Sequence, residues 1–239
     1  MGGGINICVS NAHTFGTDSF LLSYFANPKK HEIACDLCTG CGIIPLLWLR
    51  KELALKKAYA VDIQKAAYEQ MLKSAEFSGL SDNFVPVHSD LKALDGLPFG
   101  EFHLVTCNPP YKAENTGIMS ESESDRIARH ETMCTIDDVC KAAKKLLRFG
   151  GRLCICQLPE RIVDVLSVMR ENNIEPKRIR FVQNKANTAP WLILVEGKLG
   201  AKPFLQIDKP LIMREENGEM SEELQDIYSM YGPGREENA

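Results

Sequence analysis

Short apolar runs alternate with amphipathic stretches along most of the chain. Continuous apolar runs are typical of buried strands, and apolar residues at helical spacing are typical of helices packed on a core. The pattern predicts strands over residues 33–37, 58–61, 84–87, 102–107 and 153–157, and helices over residues 18–25, 45–56, 64–78, 136–147 and 161–172. Strands that alternate with helices of this length predict a parallel sheet that is covered on both faces.

The last two predicted strands break this alternation. Residues 179–183 and 191–196 have strand patterns with no helical pattern between them, so we expect them to pair antiparallel. The predicted fold is therefore α/β, with a doubly wound, Rossmann-like, mostly parallel sheet and an antiparallel edge strand. We divide the chain into an N-terminal arm and helix (1–30), a main domain (31–200) and a C-terminal extension with an acidic tail (201–239).

Composition and charge leave several function classes open. The 239 residues are 44% hydrophobic, which fits one ordinary globular domain. Residues 215–239 contain eight acidic residues and one basic residue, so the remaining body carries 27 basic and 24 acidic residues. A body with a charge of plus 3 permits a polyanionic substrate without requiring one.

The length of the apolar stretches and the nine cysteines indicate the cellular compartment. The longest strongly apolar stretch, residues 43–49, is far shorter than the roughly 18 residues that a membrane helix needs. No charged and then apolar leader opens the chain. We therefore expect a cytoplasmic protein with no membrane partner, and cysteines that are reduced thiols.

The segments after the first two strands carry a ligand-binding pattern. Ligands of doubly wound sheets bind beyond the carboxyl ends of the strands. The first strand leads into Asp36-Leu37-Cys38-Thr39-Gly40-Cys41-Gly42, where two glycines allow a tight turn and a close approach of backbone to ligand. Asp62 ends the second strand twenty residues past Gly42, where a carboxylate accepts from the hydroxyls of a ribose. Together these features predict an adenosine-type ligand.

A nicotinamide dinucleotide fits this pattern poorly. Its fingerprint requires a third glycine at position 45, where this chain has Pro45, and a proline removes an N–H that would face a pyrophosphate. After the third strand, Asp90 offers an acceptor for an adenine amine, and Leu91 offers an apolar contact. We expect a smaller adenosine-type ligand.

The fourth strand ends in Asn108-Pro109-Pro110-Tyr111, a tetrapeptide suited to activating an amine. An adenine amine is a poor nucleophile because its lone pair is delocalised into the ring. The Asn108 side-chain oxygen and the Pro109 carbonyl can each accept one of its N–H groups, which directs the lone pair at an electrophile. Pro110 stiffens the segment, and Tyr111 offers a face on which an extruded base can stack.

These motifs together resemble the class I S-adenosylmethionine-dependent methyltransferases that modify exocyclic amines, and most of all the bacterial tRNA adenine-N6 methyltransferase family. The resemblance extends from Phe15 to Glu196. It implies that residues 31–200 form a methyltransferase domain, that S-adenosylmethionine is the cofactor, that the tetrapeptide is catalytic and that tRNA is the partner. The cofactor-binding residues it implies are Thr17, Asp18, Asp36, Cys38, Gly40, Gly42, Asp62, Ile63, Asp90, Leu91 and Asn108.

A long polar segment, residues 112–132, follows the tetrapeptide and is too long for a simple connection. It leaves the predicted catalytic site at the place where a nucleic-acid backbone would pass. We therefore predict that Tyr111, Lys112, Arg126, Arg129 and His130 bind the substrate, although the four residues beyond Tyr111 also fit a solvated loop face.

Several alternatives remain at this point. The same tetrapeptide serves enzymes that act on other nucleic-acid amines or on glutamine side chains, and a cofactor-binding or RNA-binding module without turnover is a third possibility. Cys35, Cys38 and Cys41 are spaced like the start of an iron–sulfur motif, but Pro45 stands where the fourth cysteine would fall. We interpret the cysteines as packing residues and predict no metal ion.

Overall fold

The computed structural model describes residues 5–10, 15–50, 55–109 and 134–231. The strands are β1 (Ile33–Leu37), β2 (Lys57–Asp62), β3 (Phe84–His88), β4 (Phe102–Cys107), β5 (Leu147–Gln157), β6 (Ile174–Gln183), β7 (Pro190–Leu199), β8 (Gln206–Ile207) and β9 (Leu211–Ile212). The helices are α1 (Thr17–Ala26), α2 (Ile43–Arg50), α3 (Lys65–Ser78), α4 (Ile136–Leu146), α5 (Ile162–Glu171) and α6 (Glu222–Tyr231).

All of these strands belong to one sheet with the order β3-β2-β1-β4-β5-β7-β6-β8, and β9 pairs with β6. Strands β3, β2, β1, β4 and β5 are mutually parallel, whereas β7 runs antiparallel to both β5 and β6. The predicted mostly parallel sheet with one antiparallel strand is confirmed. The antiparallel strand lies inside the sheet rather than at its margin, because β6 pairs along its outer side.

Helices cover both faces of the sheet, as the alternation of elements predicts. On one face α1, α2 and α6 contribute Leu21, Trp48 and Ile227 to a buried cluster. On the other face α4 and α5 contribute Val139 and Val165 to a second cluster. Burial of such side chains stabilises the fold by about 1.5–3 kcal/mol each and fixes the strand ends relative to one another.

Several element boundaries differ from the sequence prediction. Helix α2 begins two residues before Pro45, and its described part runs to Arg50. Leu55 and Lys56, at the predicted end of the helix, are not helical, and the backbone N–H of Lys56 donates to the Glu32 carbonyl. Strand β5 begins at Leu147 instead of residue 153, and residues 149–151 belong to a bulged part of the strand opposite β4. Helix α4 begins at a capping box, in which Thr135 and Asp138 exchange hydrogen bonds.

The segment beyond residue 200 is joined to the rest of the fold. Strands β8 and β9 pair with β6, and α6 packs against α1 and β9. Leu211, Leu224 and Ile227 of this segment are buried. None of the described helices combines the length and apolar character that crossing a membrane requires.

Candidate active site

The carboxyl ends of β1, β2 and β4 are neighbours, because β1 pairs with β2 on one side and with β4 on the other. Asp36 is the penultimate residue of β1, Asp62 is the last residue of β2, and Asn108 follows β4. The topology therefore gathers Asp36, Asp62 and Asn108 at the carboxyl-terminal edge of the sheet, as expected for a ligand site of a doubly wound fold.

The turn after β1 requires its glycines. Cys38, Gly40 and Gly42 have φ angles of 54°, 59° and 81°, in the left-handed region. A Cβ atom on Gly42 would lie 3.0 Å from Phe84 and 3.1 Å from Met71. A Cβ atom on Gly40 would meet nothing within 4 Å, so the backbone there faces open space. This exposed backbone fits a turn against which a cofactor packs closely.

The Asp62 carboxylate braces this turn. Its Oδ2 accepts from the backbone N–H of Gly40 at 2.8 Å, and its Oδ1 accepts from the backbone N–H of Gln64 at 2.9 Å. Asp62 is only 6% exposed. A carboxylate oxygen has two lone pairs and can accept more than one hydrogen bond, as binding of the ribose hydroxyls would require.

Asp36 is buried beside β4 rather than open to solvent. Its Oδ1 accepts from the Thr106 hydroxyl at 2.5 Å, across the register pair of β1 and β4. Burial raises the pKa of Asp36 to about 7, and the neighbouring charge of Asp62 acts in the same direction. A cation near this carboxylate would favour its ionised form, which suits the amino group of a methionine-like ligand.

Three further predicted cofactor residues follow β2 and β3. Ile63 is exposed next to Asp62, where its side chain offers an apolar surface. Asp90 uses Oδ1 to accept from the backbone N–H of Lys92 at 2.8 Å, and Leu91 is buried in the core. The buried position of Leu91 makes it a support for this segment as much as a ligand contact.

The Asn108 side chain is held in one orientation by two neighbours. Its Nδ2 donates to Asp18 Oδ2 at 3.0 Å, and its Oδ1 accepts from the Cys156 thiol at 3.0 Å. A carboxylate only accepts hydrogen bonds, so Asp18 fixes which end of the amide is the donor. Any side chain at Gly16 would approach Asp18 Oδ1 to 2.8 Å, so a glycine there leaves room for this carboxylate.

Thr17 and Asp18, the two predicted cofactor residues near the N-terminus, contact different parts of the structure. Asp18 lies against Asn108, whereas the Thr17 hydroxyl is 3.0 Å from the Tyr228 hydroxyl of α6. Pro109 is buried directly after Asn108. The predicted catalytic residues Pro110 and Tyr111 and the predicted substrate residues Lys112, Arg126, Arg129 and His130 lie outside the described residues.

The cysteines that resemble an iron–sulfur motif are not gathered together. Cys35 belongs to the buried cluster on one face of the sheet, and Cys41 belongs to the cluster on the other face. The Cys38 and Cys134 sulfur atoms are 3.5 Å apart as free thiols. Within the part of the chain that the structure describes, no group of three or more metal-ligating side chains comes together.

Sequence reasoning missed two partners in this site. Thr106 holds Asp36, and Cys156 donates to Asn108. Cys156 lies one residue before the end of β5, so the rule that ligands meet strand ends could have indicated it. The contact of Thr106 with Asp36 depends on the register of β1 and β4, which the sequence pattern does not specify.

Sequence comparison relates the chain to known methyltransferases, although no family model matches it. A tRNA1(Val) (adenine(37)-N6)-methyltransferase of Flavobacterium psychrophilum is 31% identical over 141 residues, which are 59% of this chain and 59% of that protein. A protein of the same name from Parabacteroides distasonis is 24% identical over 188 residues, covering 79% of this chain and 77% of that protein. The chain thus spans less than two thirds of the first relative's length.

Structural comparison agrees on the fold. A predicted O-methyltransferase from Agrobacterium tumefaciens superposes with a TM-score of 0.73 at 16% identity, covering 91% of this chain and 98% of that one. Identity this low supports the fold and no finer assignment. The chain has the fold of class I S-adenosylmethionine-dependent methyltransferases and is similar in sequence to bacterial tRNA1(Val) (adenine(37)-N6)-methyltransferases.

Proposed function

We propose that this protein is an S-adenosylmethionine-dependent methyltransferase that methylates N6 of an adenine in tRNA. The observation that carries the proposal is the position of Asn108, directly after β4, with its amide oriented by Asp18 beside the turn of β1. The names of the relatives supply the acceptor, since both are tRNA adenine-N6 methyltransferases. A tRNA acceptor implies a cytoplasmic location.

The residues at the strand ends fit the cofactor. Asp62 would accept from the ribose hydroxyls, and Asp90 with Ile63 and Leu91 would contact the adenine. Asp36, Cys38, Gly40 and Gly42 would surround the methionine part, where open space lies in front of Gly40. Asp18 would act through Asn108, whose amide donates to it, and the hydroxyl of Thr17, next to Asp18, lies 3.0 Å from the Tyr228 hydroxyl.

The described residues also provide the acceptors that the reaction needs. S-adenosylmethionine supplies a methyl group on a sulfonium centre. Asn108 Oδ1 and the Pro109 carbonyl would each accept one N–H of the acceptor amine and so aim its lone pair. In the structure Asn108 Oδ1 accepts from the Cys156 thiol. A thiol is a weak donor, so an amine N–H can take its place at little cost.

The substrate-binding part of the proposal concerns residues beyond Pro109. We propose that Pro110 stiffens the catalytic segment and that Tyr111 stacks on the acceptor base. Lys112, Arg126, Arg129 and His130 would hold the phosphates, because this segment leaves the site directly after Tyr111. Contacts between cationic side chains and phosphates predict that the affinity for tRNA falls steeply as the salt concentration increases.

Two variants separate the binding and transfer parts of this proposal. Asp62→Ala should weaken S-adenosylmethionine binding by about 1 to 3 kcal/mol, because the ribose hydroxyls lose their acceptor. Asn108→Ala should leave that affinity nearly unchanged and lower the transfer rate by about a hundredfold or more. Calorimetry measures the first effect, and transfer of labelled methyl to unmodified tRNA measures the second.

Mass spectrometry of the labelled products tests the acceptor. N6-methyladenosine in digested tRNA supports the proposal, and methylglutamine in protein with unlabelled tRNA contradicts it. A wild-type protein that binds S-adenosylmethionine and transfers no methyl to RNA or protein would instead be a binding module. Equal transfer by wild type and Asn108→Ala would remove Asn108 from the mechanism.

A further inference from the structure

A separate cavity of about 590 Å³ opens at the same edge of the sheet as the candidate active site. It lies between the start of α1, the turn that joins β6 to β7, and helix α6. Its walls include Thr17, Asn184, Trp191, Met213, Arg214 and Tyr228. The volume falls within the range of about 300–1,000 Å³ that is typical of small-ligand sites.

Two wall residues of the cavity, Thr17 and Trp191, connect it to the surroundings of Asn108. Thr17 in its wall directly precedes Asp18, whose carboxylate accepts from Asn108 at 3.0 Å. Trp191 lies at the start of β7, which pairs antiparallel with β5 so that Ile193 faces Gln157 at the end of β5. Since β5 is the neighbour of β4, the cavity lies on the side of Asn108 away from the cofactor turn.

The walls of the cavity are held by internal hydrogen bonds. The Thr17 and Tyr228 hydroxyls are 3.0 Å apart and join α1 to α6. The backbone N–H of Arg214 donates to the Asn184 carbonyl at 2.9 Å, which joins the segment after β9 to the turn. Within the turn, the Lys185 N–H donates to the Thr188 hydroxyl at 3.0 Å. The cavity is therefore built before any ligand arrives, which lowers the entropic cost of binding.

The lining suits a flat aromatic group with a polar rim. Trp191 is 38% exposed, and Met213 adds a polarisable thioether. The exposed Asn184 amide can both donate and accept, and Arg214 uses Nη1 to donate to the Gly218 carbonyl. Aromatic faces combined with an amide are the groups that bind nucleobases by stacking and edge hydrogen bonds.

The charges around the cavity argue against a phosphate ligand. Exposed Glu215 and Glu216 directly follow Arg214, and exposed Glu219 lies at the other end of the same turn. Arg214 is the one charged residue of the described lining, and the three carboxylates close to it in sequence make this turn unfavourable for a phosphate group. A neutral base with its phosphates directed away from this turn avoids these carboxylates.

We infer that this cavity binds a nucleobase of the RNA that lies next to the acceptor adenosine. The inference rests on the proposed function, since it requires an RNA whose adenine reaches Asn108. A base stacked on Trp191 would hold the strand on one side of the acceptor and help to keep the acceptor base out of the helical stack.

Fluorescence of Trp191 provides a direct test. The chain has two tryptophans, and Trp48 is fully buried, so Trp191 is the one that an RNA base can reach. A five-nucleotide RNA with a central adenosine should quench wild-type fluorescence as it binds. Trp191→Phe should bind with similar affinity and lose the signal, whereas Trp191→Ala should bind about 5- to 150-fold more weakly. Phe204→Ala, at an exposed residue outside the cavity lining, should match wild type.

Abasic RNAs complete the test by removing the base that is proposed to enter the cavity. An abasic site on one side of the adenosine should weaken wild-type binding by a similar factor and leave Trp191→Ala binding unchanged. Equal losses in both proteins, or quenching by a glutamine-containing peptide and not by RNA, would overturn the inference. Methyl transfer to the same RNA is recorded in parallel: transfer without any effect of Trp191 refutes the cavity alone, and no transfer to any adenine refutes the proposed function.

Discussion

The two ends of helix α1 use charged groups in opposite ways. At its start, the Asp18 carboxylate accepts from the neutral Asn108 amide at 3.0 Å and from the backbone N–H of Ser19 at 2.9 Å. At its end, Arg178 donates to the Phe25 carbonyl at 2.6 Å, and Arg152 donates to the Ala26 carbonyl at 2.9 Å. The charged group at the start of α1 orients a candidate catalytic amide, whereas those at its end cap the last carbonyls of the helix.

The charged groups at the C-terminal end of α1 form an ion-pair network in which each arginine contacts at least one glutamate. Arg152 pairs with both Glu32 and Glu196 at 3.2 Å, and Arg178 pairs with Glu196 at 3.3 Å. Cations beside the last carbonyls of a helix also interact favourably with its dipole. The network therefore stabilises a fixed position of α1, and that fixed position is what allows Asp18 at the other end to hold Asn108.

Breaking the ion network should have the largest effect on stability. Arg152→Met removes the cation between two largely buried carboxylates, whose side chains are 13% and 15% exposed. We expect the free energy of unfolding to fall by about 3–5 kcal/mol, because the buried Glu32 carboxylate loses its paired cation, although Glu196 keeps its pair with Arg178. Urea unfolding measures this change.

Arg170→Met is the matched control, since Arg170 pairs with Glu175 at 3.1 Å but is 61% exposed. Its loss should change stability by at most about 1 kcal/mol. Similar losses in the two variants would show that the network at the end of α1 contributes no more than an ordinary surface pair.

The fold was largely predictable because burial on both faces leaves a strong pattern. Strand β1 was predicted with the bounds that the structure has, since nearly all of its residues are buried. The start of β6 at Ile174 was missed because its first half alternates buried and half-buried residues under α5. The position of β7 between β5 and β6 was also missed, since strand order depends on pairing between distant segments.

The positions of Asp62 and Asn108 in the fold were predictable from the sequence, whereas the contacts between candidate site residues were not. Asp62 and Asn108 follow strands, so their place at the sheet edge could be inferred from order alone. The bond between Asp18 and Asn108 joins residues ninety positions apart, and its existence depends on how α1 packs across the sheet. The resemblance to the methyltransferase family implied Asp18 as a cofactor contact, and the structure shows that its carboxylate holds the Asn108 amide.

Removing the carboxylate at the start of α1 should have an intermediate effect, on rate rather than on stability. Without Asp18 the Asn108 amide can rotate, so its oxygen no longer faces the acceptor amine in every molecule. Asp18→Ala should lower kcat by about tenfold to a hundredfold, and Asp18→Asn should recover part of that loss because one amide orientation still accepts from Asn108. Glu69→Ala, at an exposed carboxylate of α3, should leave kcat unchanged. Equal kcat in Asp18→Ala and wild type would assign Asp18 no positioning role.

The smallest effect concerns pH and Asp36, the buried carboxylate beside the face that α1 covers. Its pKa of about 7 lies above the ordinary value near 4 because burial disfavours the charged form. The protonated form of Asp36 is therefore favoured in the folded protein. In the cofactor-free protein, the contribution of Asp36 to the free energy of unfolding is present at low pH and is lost as pH rises through about 7.

Cofactor binding should show the opposite dependence, because under the proposed binding mode the amino group of S-adenosylmethionine would favour the ionised Asp36. Below pH 7 its binding must release a proton from Asp36, so affinity should fall by up to about tenfold for each unit that pH falls. Calorimetry between pH 5.5 and 8 measures this slope, and Asp36→Asn should bind more weakly at pH 8 with no dependence in this range. An unchanged slope in Asp36→Asn would show that a group other than Asp36 carries the proton.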